Sequence, residues 1–219
     1  MPGCPYFIAN TFSHVLGAVL LTGVSSENPA INGIDTKPLT SISLFFLAIG
    51  LLFGMAVSEP GPYKYIMFIL FCFVLGQTLS GLVKKLEAEN VMSQTLITVG
   101  AIFAAMTAVG FFDSGNMLKW GNYLFAGLIA LVVAQVIIAF MSVGSEGSEG
   151  SEGKHKTNTI HLWISRCVVL LFTLYVGYDV QVLKVHAKLC KSNPDYVQES
   201  MNLYLDILNL FTGTGQLNN

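Results

Sequence analysis

Charge is what this sequence has least of. Lys and Arg number 11 and Asp and Glu 13 in 219 residues, or 11% of the chain. A soluble globular domain carries about 25%. A chain this poor in charge cannot clothe a water-facing surface of ordinary polarity, which excludes a typical cytosolic enzyme and a disordered tail. The net charge of −2 offers no basic footprint for phosphates, so nucleic acid is not expected as a partner. Cysteine is also sparse. Cys4, Cys72, Cys167 and Cys190 form no C-x-x-C pair and adjoin no histidine cluster, which argues against a zinc site or a dense disulfide framework. Only His14 among the histidines lies well inside an apolar run, too little for a membrane zinc hydrolase. The last apolar segment has no lysine to carry a retinal. The chain is expected to have no catalytic chemistry.

Apolar residues, at 53%, fill the space that charge leaves. They cluster in runs near the ~20 helical residues needed to cross a ~30 Å hydrocarbon core. Seven such runs can be read: Tyr6–Val24, Thr40–Val57, Tyr63–Val83, Val91–Phe112, Tyr123–Val143, Leu162–Val185 and the weaker Tyr196–Thr212. The connections carry turn chemistry, such as Asn32-Gly33 and Glu59-Pro60-Gly61-Pro62. Short connections favour antiparallel neighbours. The expected fold is therefore all-α: a polytopic membrane protein, a seven-transmembrane-helix bundle forming one domain over residues 1–219. Gly144–Gly153 reads GSEGSEGSEG and is expected to be a flexible, solvated linker. Lysine and arginine distribute evenly between the two sides, so the positive-inside rule sets no orientation.

Within this apolar background two acids stand out. A charge at mid-bilayer costs on the order of 2.5–3.5 kcal/mol, and Asp179 and Asp206 both lie inside predicted spans. On the last segment Glu199, Asn202, Asp206 and Asn209 follow at steps of 3, 4 and 3, one polar stripe on a helix. Such a stripe must face other helices, a water-filled cavity or the interface plane. On the segment before it, Tyr175 shares a face with Asp179 and can hydrogen-bond towards it. Asp179 lies roughly 9 Å along the helix from Val185, and Asp206 roughly 15 Å from Tyr196. Antiparallel neighbours would thus bring the carboxyls within about one turn in depth. Two such carboxylates cannot both stay ionised without a cation; they would share a proton and titrate as a coupled pair. Calcium could replace that proton, with Tyr175, Asn202 and Asn209 as supporting oxygens. A purely structural role, hydrogen-bonding neighbouring helices, is the competing reading.

The last third of the chain then resembles a known family. Leu174-Tyr175-Val176-Gly177-Tyr178-Asp179-Val180-Gln181 is similar to the L-Y-x-x-Y-D-T-Q stretch of the transmembrane Bax inhibitor motif family. Asp195-Tyr196-Val197, followed by Asn202-Leu203-Tyr204-Leu205-Asp206-Ile207-Leu208-Asn209-Leu210-Phe211, resembles its D-Y-x…L-Y-L-D-I-I-N-L-F. The resemblance implies six helices around a central seventh. It also implies a pH-sensitive calcium leak latched by the paired aspartates, here Asp179 and Asp206, that lowers stored calcium and suppresses apoptosis. Calcium would be the permeant or transiently held ion, with no tightly bound cofactor. The implied partners are the lipid bilayer, protons and cell-death regulators in the membrane, and the implied location is the endoplasmic reticulum or Golgi ahead of the plasma membrane. The alternative is an anti-apoptotic protein acting through partner binding, its aspartates structural. One departure matters: family members that leak calcium can pair the aspartates with a second-helix arginine. The only arginine here is Arg166, and Thr40–Val57 has no basic residue, so proton sharing alone would have to serve.

Overall fold

A computed structural model describes residues 4, 6–27, 38–144, 151–190 and 194–218. Among these residues the fold is all-α, with seven α-helices and no strand: α1 (Phe7–Glu27), α2 (Pro38–Val57), α3 (Pro62–Ala88), α4 (Met92–Phe112), α5 (Gly121–Gly144), α6 (Ser151–Lys188) and α7 (Tyr196–Leu217). A 3-10 turn, Asn116–Trp120, precedes α5. Among the described residues five helical stretches are long and apolar enough to cross a membrane: α1, α3, α4, residues Asn116–Ile138 and Thr159–Lys188. The described apolar part of α2, Ser43–Val57, is shorter, and α7 is not among the five because acids and amides interrupt it. Large apolar side chains such as Phe46, Ile97, Phe112 and Tyr123 stand exposed on these helices, as hydrocarbon rather than water requires. This is a multi-pass membrane protein.

Two helices outrun their apolar cores. α3 continues through Lys84, Lys85 and Glu87, a segment the sequence reads as a connection. α6 begins at Ser151 and α5 ends at Gly144, so the linker expected over Gly144–Gly153 starts and ends in helix, and residues 145–150 lie outside the described residues. Hydropathy marks where hydrocarbon ends, whereas a helix keeps its i→i−4 bonds into water as long as its residues tolerate them. Turn geometry is sharper where one residue sets it. Asn90 closes α3 with φ 59°, in the left-handed region that asparagine tolerates, and Gly115 opens the 3-10 turn with φ 100°.

The chain forms two compact units. The first comprises Met1–Asn90 and Leu183–Leu205. Here α1 lies close against α3, and Gly76 allows it. A Cβ at that position would sit 2.5 Å from the Thr22 carbonyl oxygen and 2.7 Å from Ser25 Cβ. The seam is polar. Ser25 Oγ donates to the Phe73 carbonyl at 2.8 Å, and Gln77 Nε2 donates to the Ser25 carbonyl. Tyr204, fully buried between Phe68 and Phe71, meets Thr22 Oγ1 through its hydroxyl. Gly76→Ala should therefore separate α1 from α3 and cost about 1–3 kcal/mol, read as a fall in thermal stability in detergent. Gly81→Ala, whose added Cβ meets nothing within 4 Å, is the matched control and should leave stability unchanged.

Three ties converge at the α6–α7 connection of the same unit. Cys4 and Cys190 form a disulfide between residues 186 positions apart. Lys64, only 2% exposed, donates to Asp195 Oδ2 at 2.6 Å and to the Ser58 carbonyl at 3.3 Å. The other carboxylate oxygen of Asp195 accepts the Gln198 amide at 3.0 Å, capping the start of α7. The second unit, Val91–Val182 with Asp206–Asn219, holds the rest of α6 and α7 and the 3-10 turn.

Candidate functional site

In the second unit, glycines let α6 sit tightly against its neighbours. A Cβ on Gly110 of α4 would lie 2.8 Å from the Gly177 carbonyl oxygen and 2.8 Å from Val180 Cβ. A Cβ on Gly177 would meet Met117 Sδ at 2.7 Å and Met106 Cε at 3.0 Å, and one on Gly121 would meet the Tyr178 hydroxyl at 2.8 Å. Val176 and Val180 are completely buried. Further along, Gln181 fixes the helix in rotation and height. Its Nε2 donates to Asp113 Oδ2, and its Oε1 accepts the Leu118 amide at 3.3 Å.

Asp113 is correspondingly saturated. The same oxygen accepts the backbone amides of Gly115 and Asn116 at 3.1 and 2.9 Å. Gln181 first, and those amides after it, hold the Asp113 carboxyl below its ordinary pKa. A depressed native pKa makes the contribution to stability complete above the ordinary carboxylate range. It is lost as pH falls through the native value.

Two residues before Gln181, Asp179 meets Asp206 of α7. The two carboxyls lie within electrostatic reach of each other, and Asp206 is only 3% exposed. Ionised carboxylates only accept, so a hydrogen bond between the two would take one shared proton. The Oδ2 of Asp206 has no hydrogen-bond partner although it is buried. Tyr175 lies within electrostatic reach of both acids, stacked on Phe172 with ring centroids 5.6 Å apart. Asp179, Asp206 and Tyr175 are thus brought together.

The two asparagines named from the sequence fare differently. Asn202, in the first unit, is exposed, and Asn209 lines a cavity with Gln135, His161 and Gln216. The polar stripe is real as a helical spacing, but its members meet different surroundings along α7. Glu199, at its start, pairs with His186 at 2.7 Å. Among the described residues no cluster of three or more His, Cys, Asp or Glu could hold a metal ion. Lys64, Asp195 and Gln181 make close side-chain polar contacts and were given no role by the sequence reading. Asp195 and Gln181 stand inside the two quoted motifs, which was the available signal.

The family model described as Inhibitor of apoptosis-promoting Bax1, Bax1-I, matches residues 5–213. The chain belongs to the Bax inhibitor family. Among similar proteins, Bax inhibitor 1 of Schizosaccharomyces pombe is 26% identical over 194 residues, 88% of this chain and 66% of the yeast protein. The Golgi anti-apoptotic protein of vaccinia virus is 28% identical over 187 residues, 84% of this chain and 70% of the viral one. Protein lifeguard 4 of Mus musculus is 24% identical over 212 residues, covering 94% and 81%. This Bax inhibitor family chain thus has relatives in yeast, a poxvirus and mouse across most of its length.

Proposed function

We propose that this chain is a passive, pH-sensitive calcium leak of an intracellular membrane, the endoplasmic reticulum or Golgi, and that it restrains cell death by lowering stored calcium. The observation that carries the reading is Asp206: a carboxyl buried in an apolar bundle, within electrostatic reach of Asp179, with one oxygen left without a partner. An isolated buried charge is costly, so the site is stable with a proton and primed to exchange it for a cation. Two carboxylates, with no third His, Cys, Asp or Glu grouped with them among the described residues, are a weak hold on a hard cation, which suits a permeating ion. No step of this activity is catalytic. The name of the vaccinia relative, Golgi anti-apoptotic protein, supports the location and the outcome for that protein and motivates them here.

The test is purified protein in liposomes loaded with a calcium dye, scanned from about pH 5 to 8, where perturbed carboxyls titrate. Flux should rise as the shared proton leaves and vanish in Asp206→Asn, which keeps the shape and removes the charge. Background flux at every pH overturns the leak. Protection of cells that survives Asp206→Asn points instead to action through binding of membrane cell-death regulators.

A further inference from the structure

The polar face of α7 does not stop at the carboxyl pair. Asp206, Asn209, Gly213 and Gln216 follow at steps of 3, 4 and 3, on one side of the helix. The last three line a cavity of about 380 Å³ together with Gln135 of α5 and His161 of α6. It begins three residues beyond Asp206, roughly 4.5 Å along the axis, and extends to Gln216, roughly 15 Å from it. Its wall is tight at Gly213, where a Cβ would approach Val169 Cγ2 to 2.9 Å. Ser165 Oγ lies 2.6 Å from Gln216 Oε1 and 3.0 Å from the His161 carbonyl, fixing α6 to α7 at the cavity's far end. Three amide side chains, a threonine and an imidazole on apolar helices are stable where they meet water rather than acyl chains. The volume admits several waters at about 30 Å³ each.

We infer that this cavity is a hydrated vestibule admitting cations from the α7 C-terminus towards Asp206, with His161 setting its charge. The inference rests on the leak reading of the carboxyl pair and extends it to the route of entry. Among the described lining residues His161 is the one side chain that can carry a charge. α5 presents Gln135 to the cavity and α7 presents Asn209, Thr212 and Gln216. On α6, Arg166 stacks on Trp163, its guanidinium 5.0 Å from the ring centroid. With a neutral imidazole the vestibule is a neutral, oxygen-bearing space in which amide carbonyls can stand in for a hard cation's water. An imidazolium there places a full positive charge on the approach and lowers the local concentration of divalent cations.

Two measurements on the full chain in liposomes test this. In a Cys167→Ala background, Gln135→Cys and Thr212→Cys should react with a small, membrane-impermeant cationic methanethiosulfonate. Leu170→Cys, on the exposed apolar face of α6, should not react. Cysteines unreactive at both cavity positions overturn the vestibule whatever the flux. Second, His161→Lys should cut calcium flux about tenfold near neutral pH, while His161→Gln, which adds no charge, should keep it. Wild-type flux left unchanged by His161→Lys overturns the role of the histidine. A wild-type chain silent at every pH overturns the leak instead, and the labelling then decides alone whether a cation enters the cavity.

Discussion

Asp195→Asn should destabilise the protein by about 3–5 kcal/mol, the cost of leaving one partner of a buried ion pair unmatched. The substitution is chosen to spare everything else Asp195 does. Asparagine caps a helix as well as aspartate, so the bond to the Gln198 amide survives. What disappears is the countercharge of Lys64, which at 2% exposure has no route to water, whereas Asp195 is 26% exposed. Lys64→Met should therefore cost less than Asp195→Asn, because the stranded carboxylate can hydrate and the stranded ammonium cannot. The double variant should recover most of the loss, since an apolar side chain in that space is not penalised as an orphaned charge is. Thermal unfolding in detergent measures all three. Equal losses in the two single variants would contradict the asymmetry of burial.

Cys4→Ser should lower stability by about 2–5 kcal/mol, as expected for a cross-link that closes a long loop. The bond joins residues 186 apart, so its loss frees the segment before α1 from the α6–α7 connection. A reducing agent should reproduce the effect in the wild-type chain and do nothing further to Cys4→Ser. Cys167→Ser, by contrast, alters an exposed free thiol and should be neutral. A reductant that leaves the wild-type unfolding temperature unmoved would deny the disulfide any part in stability.

The helices were legible because hydrocarbon imposes a length. Six of seven starts fall within two residues of the apolar runs, and the exception, α6, runs on into water where hydropathy has nothing to report. Asp179 and Asp206 were legible for the opposite reason, since an acid in an apolar run has no cheap explanation. Lys64 and Asp195 were hidden because charges near the ends of spans look solvated. Only a partner 131 residues away reveals that this lysine is buried. Cys4 and Cys190 are the same case in covalent form. Asn202 marks the limit of spacing: it groups residues on one face but does not say what that face meets at each level, and Asn202 is exposed where Asp206, four residues on, is buried.

The bond between Cys4 and Cys190 makes almost the whole chain a covalent ring. A protease cutting any connection between those residues opens the ring without releasing a piece. On a gel the nicked molecule would keep its full mass until a thiol reagent was added, and only then separate into fragments.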